Sequence, residues 1–370
     1  MYTPTLLRSS LLATALLVPL LAPAPLAGQG FGTVLTQTNA PAGNEVSVSL
    51  RLPNGNLLPF GSYATGGAGT GGGLGSQGAL AESGDGRLVF AVDAGSNEVT
   101  MFRRLFGVFL WRLDREGTGG TQPTSVAAHG RLVYVLNAGS DTVRGFRRRG
   151  ADLAPIPGAV YGLSQAGAAA AQVGFSPDGA FLVVTERATN RIGVFRVLPN
   201  GTLGAGNFQP SAGPTPFGFQ FRGDGTLVVS DAAGGAAGAS VASSYRILPN
   251  GTLQVVSGAV PTNQAAACWI AIPRGGEFAY TTNTADGTLS GFSLDDAGAL
   301  RLLDPSGVTG DLGAAARPID FEFTRNGRLL YVLDSGADEI RAFLRTNDGG
   351  LVPLATRVTL ADGAAGLLAR

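Results

Sequence analysis

Oxygen-bearing side chains recur along this chain at the ends of short apolar runs: Asn39, Asp93, Asn137, Glu186, Asp231, Asn283 and Asp334. Carboxylates and amides of this kind can move protons, take the hydroxyls of a sugar, or hold a hard cation. Two places stand out. Glu186 breaks an otherwise Asp/Asn series and precedes Arg187. Glutamate is a poorer turn residue than Asp or Asn, which makes Glu186 a candidate catalytic acid or base. Asp320 follows Pro318 and precedes Glu322 by two residues. On an extended strand both carboxyls share one face, where they can share a proton or bind a cation, unless an arginine such as Arg317 neutralises them. The same residue types are those that tight turns select, and Asn39, Asp93 and Asn137 stand before Ala or Gly in ordinary turn sequences.

Several chemistries are excluded by composition. The basic residues are all arginine, so no lysine can form a Schiff base. A single histidine, His129, cannot build a multi-histidine zinc site, and a single cysteine, Cys268, cannot form an internal disulfide. The alignment of repeats puts His129 on the face opposite the seven polar residues, which argues against a Ser-His-Asp triad. Cys268, in an apolar run beside Trp269, reads as a small buried hydrophobe. Acidic and basic residues balance at 26 each, leaving no field for nucleic acid or anionic lipid, so Arg147-Arg148-Arg149 reads as a solvated turn. The segment Gly67–Gly72 fits GxGxxG, but no helix pattern follows, so it reads as backbone crossing near a channel mouth.

The elements that must position these groups are short strands. Phe175–Gly204 shows the unit: an apolar run, Ser176-Pro177-Asp178-Gly179, a second run ending at Glu186, a polar turn, a third run, then Pro199-Asn200-Gly201. Copies follow one another about every 45 to 55 residues, the period of four-stranded propeller blades. With 57 Gly, 21 Pro and 44% hydrophobic residues, the composition suits many strands joined by tight turns. The fold class is all-β: a seven-bladed β-propeller of four-stranded antiparallel blades, in one domain over residues 28–370. Seven second strands are visible but only six inner strands precede them. The tail, Gly363–Leu368, is expected to supply the seventh and close the ring by joining the two ends of the chain. Residues 1–27 read as a secretory signal, with Arg8, an apolar core over Leu11–Leu21, and cleavage between 27 and 30.

In such a ring the second strands end on the face where the inner strands begin. That face should gather the seven polar residues with the inner-strand starts Ser125, Gln172, Gly218, Trp269 and Asp320. The result is a polar funnel with a tryptophan on its wall, suited to a sugar or lactone. The expected site therefore has Glu186 and Asp320 as catalytic groups. Gln172, Trp269, Asn283, Asp334, Asp231 and Asn137 are its ligand-binding residues.

The blocks GTGGGLGSQGAL, VLNAGS, GPTPFGFQF, SSYRILPNGTL and QAAACWIAI with AYTTNTADGTLSGF resemble the seven-bladed lactonase-type propellers, the family of 6-phosphogluconolactonases and carboxymuconate cyclases, in its exported bacterial branch. The resemblance spans nearly the whole mature chain. It implies an acid/base apparatus of His and Arg at one inner-strand start, Glu at the end of the next strand, and Arg after a later Asn. Here Ala171 and Gln172 occupy the first pair, Glu186 is present, and Thr284 follows Asn283.

Two functions follow as expectations. One is a lactonase-like protein that hydrolyses or forms a lactone of a sugar acid or related organic acid. The other is a non-catalytic secreted propeller acting as a binding or scaffold module. The partner is a small lactone or carbohydrate-like ligand, with no nucleic acid and no membrane after signal cleavage. The protein is expected to be an exported, periplasmic or extracellular monomer. No cofactor is required; a divalent cation such as calcium is possible, with Glu186, Asn283, Asp320 and Asp334 as oxygen ligands.

Overall fold

The structure, a computed structural model, describes residues 30–370; the expected signal segment lies outside the described residues. Alternating apolar strands and glycine-rich turns produce seven sheets around one axis. From the inside outward, blade 1 runs Ala365–Ala369, Gly32–Gln37, Glu45–Arg51, Leu57–Ala64, so the tail does supply its inner strand. The other inner strands are Leu80–Glu82, Pro123–His129, Ala170–Phe175, Pro216–Phe221, Ala267–Ala271 and Pro318–Phe323, in blades 2 to 7. Among the described residues no helix is long and apolar enough to cross a membrane.

Closure differs from expectation by a small shift. The strand is Ala365–Ala369 and not Gly363–Leu368, because Gly363 (φ +78°) still belongs to the preceding turn. Leu368 faces Leu35 and Leu367 faces Thr36, and residues 365–369 are all buried. In blade 2 the third strand, Glu98–Leu105, is joined to the outer strand by a tight turn. Phe106 (φ +51°) and Gly107 (φ +79°) form a left-handed two-residue turn, so the outer strand is Phe109–Gly117. In blade 6 the outer position is split between Leu300–Leu302 and Gly310–Asp311.

The core lies between blades. Second strands such as Leu88–Asp93, Phe181–Glu186 and Leu329–Asp334 are buried along their whole length, because both faces of every sheet meet a neighbour. Three of these strands carry a tyrosine that ties its blade to the next. Tyr134 donates to Gly201 O at 2.6 Å, Tyr280 to Gly349 O at 2.7 Å and Tyr331 to Gly55 O at 2.7 Å. All three accepting glycines sit in hairpin turns with positive φ.

Two outcomes test this architecture. Deleting residues 361–370 removes the closing strand and is expected to lower the thermal unfolding midpoint by about 10 °C or more; an unchanged midpoint would show that the ring holds without it. Tyr331→Phe leaves the ring but strips the buried Gly55 carbonyl of that donor, and denaturant unfolding should show a loss of about 1–2 kcal/mol.

Candidate functional site

Inner strands pair on one side only, so their other edges present backbone N–H groups to the axis, where each needs a partner. Side chains supply several. The Gln172 amide in blade 4 pairs with the backbone of Phe219 in blade 5, accepting from N at 2.7 Å and donating to O at 2.9 Å. Gln220 accepts from Ile272 N. In blade 7, Asp320 accepts from Gly366 N at 2.9 Å, and Glu322 accepts from Ala369 N at 3.2 Å.

Gly69 and Gly71 stay with blade 1, donating to Ala40 O and Asn39 O, and the backbone that reaches across the axis lies just beyond them, at Ser76 and Gln77. Ser76 Oγ donates to Thr124 O, and Ser76 O accepts from the Trp269 indole at 3.0 Å. Gln77 N donates to Ala171 O, while its side-chain amide pairs with the Ile270 backbone at 2.8 and 3.0 Å. Residues 76 and 77 thus bind blades 3, 4 and 6. The plug needs Gly218, where a Cβ would meet Gln77 Oε1 at 2.2 Å.

Below the plug is a chamber of ≈ 730 Å³. Gln77, Gln172 and Asp320 line its inner end, Phe219, Phe321 and Phe323 contribute to its lining, and the exposed turn residues Gly84, Gly223, Arg274 and Arg325 surround its mouth. Asp320, Glu322 and Glu82 are its carboxyls. Burial pushes Asp320 up to about 7, against the pull of backbone N–H donors that favour the charged form. Burial, reinforced by the Glu82 charge, pushes Glu322 up to about 8. On the far side of the plug a pocket of ≈ 380 Å³ is lined by Gly75, Ser76, Trp269, Asp338 and again Asp320.

The polar ring forms, but its side chains do not line a funnel. All seven are fully buried. In five blades the partner lies in the linker that feeds that blade: Thr65 with Asp93, Thr118 O with Asn137, Ser164 with Glu186, Ser211 with Asp231, and Arg317 N with Asp334. Glu186 accepts from Ser164 N at 2.9 Å, from Ser164 Oγ and from Thr189 Oγ1 at 2.6 Å. Asn283 donates to Thr288 and Ser290 within its own blade, Asp334 is paired with Arg341 at 2.8 Å, and Asn39 donates to Thr70 and Gly72. The physical reason is local. A strand end must hand the chain to a crossing linker, and a short polar side chain pins that linker at the turn.

Of the eight expected site residues, the structure brings Gln172 and Asp320 to the chamber and Trp269 and Asp320 to the outer pocket. Asn137, Glu186, Asp231, Asn283 and Asp334 remain apart, one to a blade. The four oxygen donors named for a cation do not converge, and among the described residues no three His, Cys, Asp or Glu side chains gather as ligands. His129 lies at the opposite end of its strand beside Phe175, and burial pushes the Cys268 thiol up to about 12. Glu82 and Gln77 were missed. A signal for Glu82 existed: it stands four residues before Gly86, where Phe175, Phe221 and Phe323 stand four before Gly179, Gly225 and Gly327.

The family profile described as "Lactonase, 7-bladed beta-propeller" matches residues 152–233 and 231–366. No curated protein matches the chain by sequence. Among solved structures, the chain is similar to the periplasmic gluconolactonase PpgL of Pseudomonas aeruginosa, at 20% identity and TM-score 0.73, over 92% of this chain and 99% of that one. A Bacteroides fragilis protein provisionally named a 6-phosphogluconolactonase aligns at 19% identity and TM-score 0.71, over 91% and 98%. At these identities the likeness is one of fold.

Asp231 gives a stability test. Burial pushes its carboxyl up to about 7, with Ser211 and Ser243 donating against that shift. A raised carboxyl binds its proton more tightly folded than unfolded, so its contribution is complete below about pH 4 and is lost as pH rises toward 7. Asp320 and Glu322 act in the same direction. Denaturant unfolding should show stability falling between about pH 5 and pH 8, by up to about 1.4 kcal/mol per unit for each group. Asp231→Asn should flatten that slope.

Proposed function

The chain belongs to the lactonase family of seven-bladed β-propellers, and on that premise we propose that it opens or closes a lactone of a sugar acid or related organic acid within the central chamber. The observation that carries this reading is the Asp320–Glu322 pair. Two carboxyls alternate on one inner strand, both line the chamber, and both are raised into the range where proton transfer at neutral pH is efficient. Asp320, the more acidic, takes a proton from a water that attacks the lactone carbonyl. Glu322, protonated, gives one to the departing ring oxygen. One water is consumed and one hydroxy acid is released; lactone formation is the reverse. The phenylalanine walls suit the apolar face of a sugar ring, and Arg274 and Arg325 at the mouth suit an anionic acid.

The likeness to a periplasmic gluconolactonase supports an aldonolactone as the substrate class, and with the Leu11–Leu21 segment it supports export. One observation favours the binding-module reading instead. Gln172 is committed to the Phe219 backbone and Glu186 to Ser164 and Thr189, so neither position is free for the acid/base work it implies.

Hydrolysis of a panel of aldonolactones and other small lactones separates the two. Turnover should follow a bell in pH, rising through about 7 as Asp320 ionises and falling past about 8 as Glu322 loses its proton. Asp320→Asn and Glu322→Gln should each lower kcat by about 100-fold or more with the fold retained. No turnover on any lactone leaves the binding module; full turnover in both variants removes the site.

A further inference from the structure

Five arginines converge on a cleft of ≈ 470 Å³ beside the ring closure: Arg51, Arg87, Arg104, Arg325 and Arg370. Glu82 is the carboxylate among them. Arg370 holds it through two short bonds, at 2.6 and 2.5 Å. Arg104 stands 3.5 Å from it and Arg325 3.9 Å. Arg51 donates to Arg370 O at 2.8 Å, and Arg87 reaches Asp85 at 3.8 Å on the exposed rim. Glu322 approaches from the chamber side. Even with Glu82, Asp85 and Glu322 all ionised, three negative side chains face five positive ones.

Arg104 shows what the cleft is missing. Its side chain is 4% exposed, yet none of its three guanidinium nitrogens makes a hydrogen bond. Buried guanidiniums are ordinarily saturated, because burying donors without acceptors is costly. Arg370 takes the short bonds to both Glu82 oxygens, and Arg104 is left as a longer ion pair with Glu82 at 3.5 Å. The backbone makes room for this arrangement: a Cβ on Gly86 (φ +66°) would overlap the Arg370 guanidinium. The donors are planar forks, which match the oxygens of a compact oxyanion. A tetrahedral dianion offers more acceptor oxygens than one carboxylate and can serve several forks together.

We propose that this cleft is an anion-binding site for phosphate or a phosphate monoester, with the buried Arg104 guanidinium at its base and Arg325 and Arg87 at its rim. The site adjoins the chamber mouth, sharing Arg325 with it, and does not require lactone chemistry.

Calorimetric titration of the full chain with inorganic phosphate at low ionic strength is the test, repeated with glycerol 3-phosphate. A saturable one-to-one isotherm is expected. Tighter binding of the ester identifies an organic phosphate as the natural occupant, and equal binding identifies the free ion. Arg104→Met should weaken binding about tenfold or more, and the exposed double variant Arg87→Gln/Arg325→Gln by a similar factor. Arg191→Gln, at an exposed position in blade 4, should bind as wild type. If Arg104→Met fails to fold by circular dichroism, the exposed double variant decides. Absence of saturable binding by wild type, or undiminished binding by the folded variants, would overturn the proposal.

Discussion

A ring of sheets turns one backbone edge of every blade toward a common axis, and those edges must be satisfied without filling the axis. This requirement organises the centre of the molecule. Glutamines at 172 and 220 and carboxyls at 320 and 322 serve as surrogate strand edges, each accepting an N–H from the next blade. A bend of linker carrying Gln77 is drawn across to pair its side-chain amide with the Ile270 backbone. The same solution places acidic groups in a narrow, shielded space, which is what raises their proton affinity. The groups that face the chamber are therefore a by-product of edge satisfaction: Asp320 accepts from Gly366 N on one side and lines the chamber on the other.

The outer ring of polar residues answers a different need. Each strand end passes the chain to a linker that must turn sharply and stay put. Glu186 is the longest of these pins, and its length is used to reach the backbone and hydroxyl of Ser164. A catalytic carboxylate needs an open side, and Glu186 has none, being fully buried. The chamber carboxyls have one, which is why the functional reading moves from the ring to the inner strand of blade 7.

The architecture was legible because its information is local and repeated. Ser-Pro-Asp-Gly and Pro-Asn-Gly turns punctuate runs of strand length, and a missing inner strand could be assigned to the tail by counting. The pairing of Asp320 with Glu322 was legible for the same reason, since strand alternation puts them on one face. The role of the ring was not, because a side chain that pins a linker and one that faces a ligand have the same type and spacing; only the direction of the side chain separates them. Gln77 was hidden in a segment whose glycines say that the backbone goes somewhere unusual, without saying where. Glu82 and the arginines around it come from blades 1, 2 and 7 and meet only through closure.

That meeting has a temporal side. Arg370 touches Glu82 across 288 residues of chain and Arg51 across 319. The plug, laid down early, finds its partners Trp269 and Ile270 some 193 residues later. Contacts of such span form late, because the intervening loop entropy must be overcome first. During synthesis from the N-terminus the first blade therefore waits, one strand short, until the last residues emerge. A chain built this way completes its ring only once the closing strand is made, and until then the inner edge of Gly32–Gln37 stays unpaired.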